Sequence, residues 1–511
     1  MSLSMLPLDC LYQGLSLNRD AIAAEDEYEK LSYDELVQRV EALAHGLQQR
    51  CLVGSHIGLC ALNHVDHLVA YLAILVGGFV WVPINPKNGQ QLNERLIAKS
   101  DLALLLIDKE TAVTLDMGDR VAIDTLSLNA DTGESCRQLI DQYRNVVYRP
   151  IRPKAGAPMA IKFTGGTTGE PKGVVQSHHN VVAVIENMQK VFDFDNCDTN
   201  VAVAPITHGG SHYILSILAV GGRHILISQP SPEKILAAFR FNAASISFMP
   251  PTLIYKLLDE PGITRRDFPH LRHITYSAAP MPTERIKQAI KLFGPRLSTV
   301  YGQTEAPMTI TALTSKEMEN IKLRTSVGRA CLHSEVAIID DSGERLPDGE
   351  TGEIAVRGDI VMDGYYKDSD MTRAVFRDGW LLTGDVGYQD RDSYIFLRGR
   401  SKELIITGGF NVYPAEVENL IVTINGVLEC AVVGIEDSYW GERIEAFVCL
   451  YSGCVETEQS IQNQIKPRLG SVKTPKKIHV VDKLPRNAVG KVVRRDLVAM
   501  IEGDVAGAEG Q

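Results

Sequence analysis

A layered α/β fold is predicted for the larger part of this chain, on two observations. From residue 32 to residue 249, short apolar runs suited to buried strands alternate with stretches of helical periodicity, the pattern of helices packed on sheets. Across residues 334–398 the pattern changes to short strands between glycine-rich turns, which suits a small antiparallel, barrel-like sheet. With 511 residues there is ample length for both around large buried cores.

The elements follow in order. Ser32-Tyr33-Asp34-Glu35 reads as a capping box, a Ser N-cap with Glu three residues on. Leu36, Val40, Leu43 and Leu47 then recur at helical spacing. His56–Leu62 reads as a strand. The apolar run Leu68–Val82 is shorter than the about 20 residues a membrane span needs, and Gly77-Gly78 interrupts it. It divides into a buried helix through Ala70–Leu75, a Gly-Gly turn and a strand ending at Pro83. Further strands are expected at Leu102–Asp108, Val201–Val203, His224–Ser228 and Ile246–Met249. Val336–Asp340, Glu353–Val356 and Tyr394–Leu397 supply the later sheet, with turns at Asp341-Ser342-Gly343 and Pro347-Asp348-Gly349.

The 52 basic and 63 acidic residues sum to −11, so a global basic footprint for nucleic acid is absent. The charge is uneven, however. Residues 411–460 carry nine acids and one base, whereas residues 466–495 carry ten bases and one acid. This is either a solvated face or a local site for an anionic ligand. The nine cysteines are odd in number and include no Cys-x-x-Cys, which suits reduced thiols in a cytoplasm. Met1–Met5 lacks the features of a secretory signal, and the tail carries no lipidation or peroxisomal address. A cytoplasmic protein without a membrane span is expected.

The segment richest in chemistry is Thr164-Gly165-Gly166-Thr167-Thr168-Gly169-Glu170-Pro171-Lys172-Gly173-Val174, after the strand-like Met159–Phe163. Its glycines free the backbone to form a concave nest of amides for phosphate oxygens. Thr164, Thr167 and Thr168 add hydroxyls, and Lys172 a cation. It is neither G-x-x-x-x-G-K-[ST] nor G-x-G-x-x-G, and no helix start is expected at Gly173.

This segment resembles the phosphate-binding signature of the adenylate-forming superfamily of acyl-CoA synthetases, nonribosomal-peptide adenylation domains and luciferases. Four more segments resemble that family's motifs in the same order: Tyr301-Gly302-Gln303-Thr304-Glu305, Trp380-Leu381-Leu382-Thr383-Gly384-Asp385, Arg400-Ser401-Lys402-Glu403 followed by Gly408-Gly409-Phe410-Asn411, and Pro485-Arg486-Asn487-Ala488-Val489-Gly490-Lys491. Ser277-Ala278-Ala279-Pro280 resembles the family's G-A-A-P strand. Leu382, Ser277, Gly399 and Gly165 depart from the commoner family residues, and none of them carries the chemistry.

The resemblance implies a catalytic body over residues 1–398 and a small mobile α+β domain over 399–511, with a homodimer as a family-level expectation. It implies ATP, Mg²⁺ and coenzyme A as partners of a small carboxylic acid. Catalytic work falls to Lys491, Glu305, His208 and Thr164. Lys491 is implied as the cation between the attacking carboxylate and the α-phosphate. Glu305 suits Mg²⁺, which takes few protein carboxylates and keeps its waters. Tyr301 is implied to stack on adenine. Asp385 and Arg400 are implied to meet the ribose, Lys402 to act as hinge, and Gly408, Gly409 and Phe410 to line a thiol tunnel.

Pro205-Ile206-Thr207-His208 resembles the segment whose aromatic residue gates the acyl pocket. Gly209, Gly210, Ser211, Tyr213, Met249, Pro250, Thr252, Ser277, Met308 and Thr309 are expected to line it, and none is charged. Zinc on His208 and His212 is disfavoured, because Gly209-Gly210 is expected to break the helix their spacing needs. Gly209 stands where amino-acid-activating relatives usually carry Asp, and these segments hold no Arg for a second carboxylate. A neutral, largely apolar acid remains, a medium- or long-chain fatty acid first and an aromatic or alicyclic acid second. An acyl-AMP ligase loading a carrier protein and a noncatalytic nucleotide- or acyl-binding protein are the alternatives.

Overall fold

The computed structural model describes residues 5–114, 123–130, 134–165, 170–451, 453–487 and 490–508. The chain is α/β, with a large N-terminal assembly of three sheets and a smaller C-terminal α+β unit around a fourth.

The Ser32 capping box forms, with both reciprocal bonds present, and starts the helix Tyr33–Gln48. Leu36, Val40, Leu43 and Leu47 are buried along it. The apolar run resolves into the helix Val65–Val76, buried along its whole length, then a turn at Gly77-Gly78 and the strand Val80–Ile84. Pro83 lies inside that strand rather than at its end.

Among the described residues, one sheet has seven strands. Its centre is the parallel set Pro158–Gly165, Val80–Ile84, His56–Cys60 and Leu102–Ile107. A second sheet has nine strands, with Thr199–Ala202, Arg223–Leu226, Ile246–Met249, His273–Tyr276 and Leu297–Tyr301 in parallel. The helix Ser211–Leu218 is fully buried and packs on the core of both. The third sheet is antiparallel and contains Glu335–Ile339, Gly352–Arg357, Trp380–Gln389 and Ile395–Arg400. The C-terminal sheet is built on Val427–Asp437 against Gly441–Leu450, with its own apolar clusters starting at Ile405.

The nine cysteines are free thiols. Among the described residues no helix is long and apolar enough to cross a membrane.

Candidate active site

The phosphate-loop segment is a hairpin. Pro158–Gly165 pairs antiparallel with Pro171–Ser177, with Thr164 opposite Lys172 and Gly165 opposite Pro171. The strand continuing through Lys172 and Gly173 agrees with the absence of a helix start there. Gly166, Thr167, Thr168 and Gly169 lie outside the described residues. Beside the hairpin the short strand Gly364–Tyr365 pairs with Val174 and Val175. The Lys172 ammonium sits 5.7 Å from the Tyr365 ring centroid. The Tyr365 hydroxyl donates to Glu305 Oε1 at 2.8 Å. Cation, phenol and carboxylate thus form one chain at the base of the hairpin. Tyr365 lies in none of the motifs, and only the strand pairing brings it here. Glu305 is half-buried, with one oxygen held by a neutral donor, a setting that fits Mg²⁺.

A second centre is Asp385, 6% exposed in the strand Trp380–Gln389. Its Oδ2 accepts from the Tyr301 hydroxyl at 2.6 Å and from Gln303 Nε2 at 2.7 Å. Its Oδ1 faces Arg400 Nε at 2.6 Å, because Arg400 stands opposite it in the paired strand. Burial first and the Asp385 charge second raise the Tyr301 pKa far above the ordinary phenol value, so that hydroxyl is a permanent donor. A carboxylate has about four lone-pair sites, so these contacts leave Asp385 room for a further donor such as a sugar hydroxyl. Gly302 is required here: a Cβ would lie 2.5 Å from the Met308 amide nitrogen. The Thr304 carbonyl accepts from Gln176 Nε2, fixing this turn to the hairpin strand. Ser277, Ala278, Ala279 and Pro280 follow the strand His273–Tyr276, with Ala278 held at φ +74° and both Ala278 and Pro280 exposed.

The C-terminal unit brings Lys491 to this centre. Its backbone is fixed by the Lys491 amide donating to Asn487 Oδ1 and by Arg486 donating to the Gly490 carbonyl. Ala488 and Val489 lie outside the described residues. A Cβ on Gly490 would stand 3.6 Å from Thr252 Oγ1, so the lysine loop meets the helix Pro251–Leu258, which carries the expected pocket residue Thr252. Lys491 keeps solvent access, yet the surrounding protein first and the neighbouring Arg400 second hold its pKa below the ordinary lysine value. Asp385 and Glu403 pull the other way.

The expected break at Gly209-Gly210 is corrected. Ile206–Gly210 forms a turn of wide, π-type winding that runs directly into the helix Ser211–Leu218. Only His208 leaves helical angles, at φ −121° and ψ −132°. His212 Nε2 instead faces Lys162 Nζ at 3.3 Å, a cation where zinc would have to sit. Burial, with Lys162 second, lowers the His208 pKa to about 4, so its ring is neutral. Gly209 abuts the Met308 sulfur and the Phe248 ring, which stacks on Tyr213 at 5.1 Å. Met249, next along the strand from Phe248, is fully buried in a separate apolar cluster with Leu253 and Ile254, and Pro250 precedes the Thr252 helix. Gly210 has backbone carbonyls where a Cβ would go, so it serves packing. Thr309 is fully buried with its hydroxyl accepting from Asn187 Nδ2, which ties it to the scaffold. Lys162 stands within the otherwise apolar Met159–Phe163 and belongs to none of the motifs, although a charge inside a buried strand is itself a signal.

Lys402 is exposed in a short helical turn, Ser401–Glu403, directly after the Arg400 strand. Gly408 and Gly409, at φ +56° and +79°, form a hairpin tip whose left-handed backbone favours glycine, and Phe410 beside them is 55% exposed. The basic stretch is in part internally paired: Lys473 with Glu416, Arg486 with Glu429, and Arg494 with Glu403 and Glu418. The two opposed charge blocks therefore partly neutralise each other.

Comparison with known proteins identifies the family. The AMP-binding enzyme family matches residues 14–366, and the AMP-binding enzyme C-terminal domain matches residues 416–491. The medium/long-chain-fatty-acid–CoA ligase FadD8 of Mycobacterium tuberculosis is 30% identical over 89% of this chain and 82% of its own. The amide bond synthetase McbA from Marinactinospora thermotolerans superposes with a TM-score of 0.89 at 27% identity, over 97% of this chain and 100% of its own. ATP-bound MatB from Rhodopseudomonas palustris superposes with a TM-score of 0.89 at 29% identity, over 98% and 99%. This chain therefore belongs to the AMP-binding, adenylate-forming enzymes.

Proposed function

We propose that this enzyme is an acyl-CoA synthetase, an AMP-forming acid–thiol ligase. The observation that carries the proposal is Lys491, presented by the C-terminal unit beside Asp385 and Arg400. In the first step the acid's carboxylate oxygen attacks the α-phosphorus of ATP, and the bond to pyrophosphate breaks. Two anions must approach, and Lys491 stabilises the charge that accumulates. Asp385 and Arg400 orient the ribose, the hairpin amides hold the phosphates, and Tyr301 packs against the adenine. Mg²⁺, held at Glu305, would neutralise phosphate charge. In the second step the thiol of coenzyme A attacks the acyl carbon and AMP leaves. The C-terminal unit turns about Lys402 between the steps and presents the Gly408–Gly409 edge to the same site.

The acid is proposed to have an apolar body, with medium- and long-chain fatty acids first. Tyr213, Phe248 and Met308 supply an aromatic and thioether wall without charge.

Lys491→Ala separates the steps. It is expected to abolish pyrophosphate release from acid and ATP while preformed acyl-AMP still reacts with coenzyme A. Equal loss of both half-reactions overturns the role of Lys491. AMP formed only with a carrier protein or an amine, and never with coenzyme A, overturns the acceptor.

A further inference from the structure

Lys162 is 8% exposed on the strand Pro158–Gly165. Among the described residues no carboxylate pairs with it. Its Nζ lies 3.3 Å from Ser211 Oγ and 3.3 Å from His212 Nε2, and 5.2 Å from the centroid of the Trp81 ring. Those neighbours carry no negative charge. Ser211 and His212 begin the helix Ser211–Leu218, directly after the wide turn that ends at Gly210. Trp81 Nε1 and His212 Nδ1 are also buried without a protein partner. A buried cation with no carboxylate against it, among neutral polar atoms, is a surround built for an anion.

The position identifies the anion. Side chains two apart share a strand face, so Lys162 lies on the face of Thr164, roughly 7 Å inward from the phosphate hairpin. The Ser211 hydroxyl that Lys162 touches donates to the His208 carbonyl at 2.9 Å. Lys162 is therefore linked through the Ser211 hydroxyl to the His208 carbonyl, two residues inward from Thr164 along the strand. The anion that the proposed reaction brings there is the acid itself.

We infer that Lys162 binds the carboxylate of the acid substrate, drawing it into an apolar pocket beside His208 and holding it toward the phosphate hairpin. This rests on the adenylation reading above. It adds a second cation, fixed in the large domain, to the mobile Lys491. Burial lowers the pKa of Lys162 to about 7, whereas His208 and His212 from the facing turn and helix are held neutral, and Trp81 from the neighbouring strand does not titrate.

Steady-state AMP formation with a panel of monocarboxylic and dicarboxylic acids tests this. Lys162→Met is expected to raise KM for every active acid at least tenfold while KM for ATP stays within about twofold. In the wild type KM for the acid is expected to rise with pH above about 7, a limb that Lys162→Met lacks. Lys162→Arg, which keeps its charge, is expected to hold a low KM at pH 9. It also carries the test if the methionine variant does not fold. An unchanged KM for the acid in Lys162→Met, or a rise confined to dicarboxylic acids, overturns the inference. A wild type that forms AMP with an unaffected variant sinks this inference alone. A wild type silent across the panel sinks the adenylation reading, and the inference with it.

Discussion

Asp385 is held by Tyr301, Gln303 and Arg400, so in the proposed ribose role it would be oriented by protein contacts alone. A hydrogen bond to a charged group is worth about 1.5–3 kcal/mol, so Tyr301→Phe is expected to raise KM for ATP by about tenfold or more. A KM for ATP within twofold of wild type would remove Tyr301 from that role. The motif residues Asp385, Arg400 and Glu305 were legible in the sequence because their local strings are distinctive. Tyr365 and Phe248 were not. They come to the site by strand pairing and ring stacking, and no short string records either. Lys162 was legible in principle, as a charge inside an apolar strand, but its partners Ser211 and His212 lie about fifty residues away and give it meaning only once folded.

Among the elements, the helix Tyr33–Gln48 shows where local rules suffice. Its start, its apolar face and its cap all follow from sixteen residues and the Ser before them. Ser32→Ala is expected to cost about 1 kcal/mol of stability, read as a lower denaturant midpoint with unchanged AMP formation. A midpoint equal to wild type would show that the reciprocal Glu35 bond alone holds the end. Sheet order is where local rules stop. The strand Ile22–Glu25 pairs with Arg223–Leu226, and nothing in either segment names the other. Pro83 within its strand and the wide turn at Ile206–Gly210 depart from local expectation for the same reason: tertiary packing outweighs residue preference.

For the whole molecule, several histidines are folded in as neutral rings. Burial first lowers the pKa of His67, His178 and His208 to about 4 and that of His224 to about 3. Each lies below the ordinary histidine value of about 6.5, so the unfolded chain binds more protons between about pH 6.5 and pH 4. Stability is therefore full above pH 6.5 and falls as pH drops through that window. The melting temperature is expected to decline by at least about 5 °C between pH 6.5 and pH 4.5. A flat profile down to pH 5 would show that these rings are hydrated or paired in solution. The two charge blocks of the C-terminal unit were visible in the sequence, but their mutual pairing was not, since it needs Glu416, Glu418 and Glu429 to fold back on Lys473, Arg494 and Arg486. One contact between the large body and the C-terminal unit is Arg285, which donates to the Tyr451 hydroxyl and lies over both the Tyr451 and Tyr255 rings. The same guanidinium is held from its own side by Asp259 at 2.9 Å and Gln288 at 3.1 Å. Parting from Tyr451 therefore leaves no stranded charge: Arg285 falls back on Asp259, Gln288 and Tyr255. The junction has the character of a press-stud, firm when closed and cheap to open, which is what the proposed turning of the C-terminal unit would require.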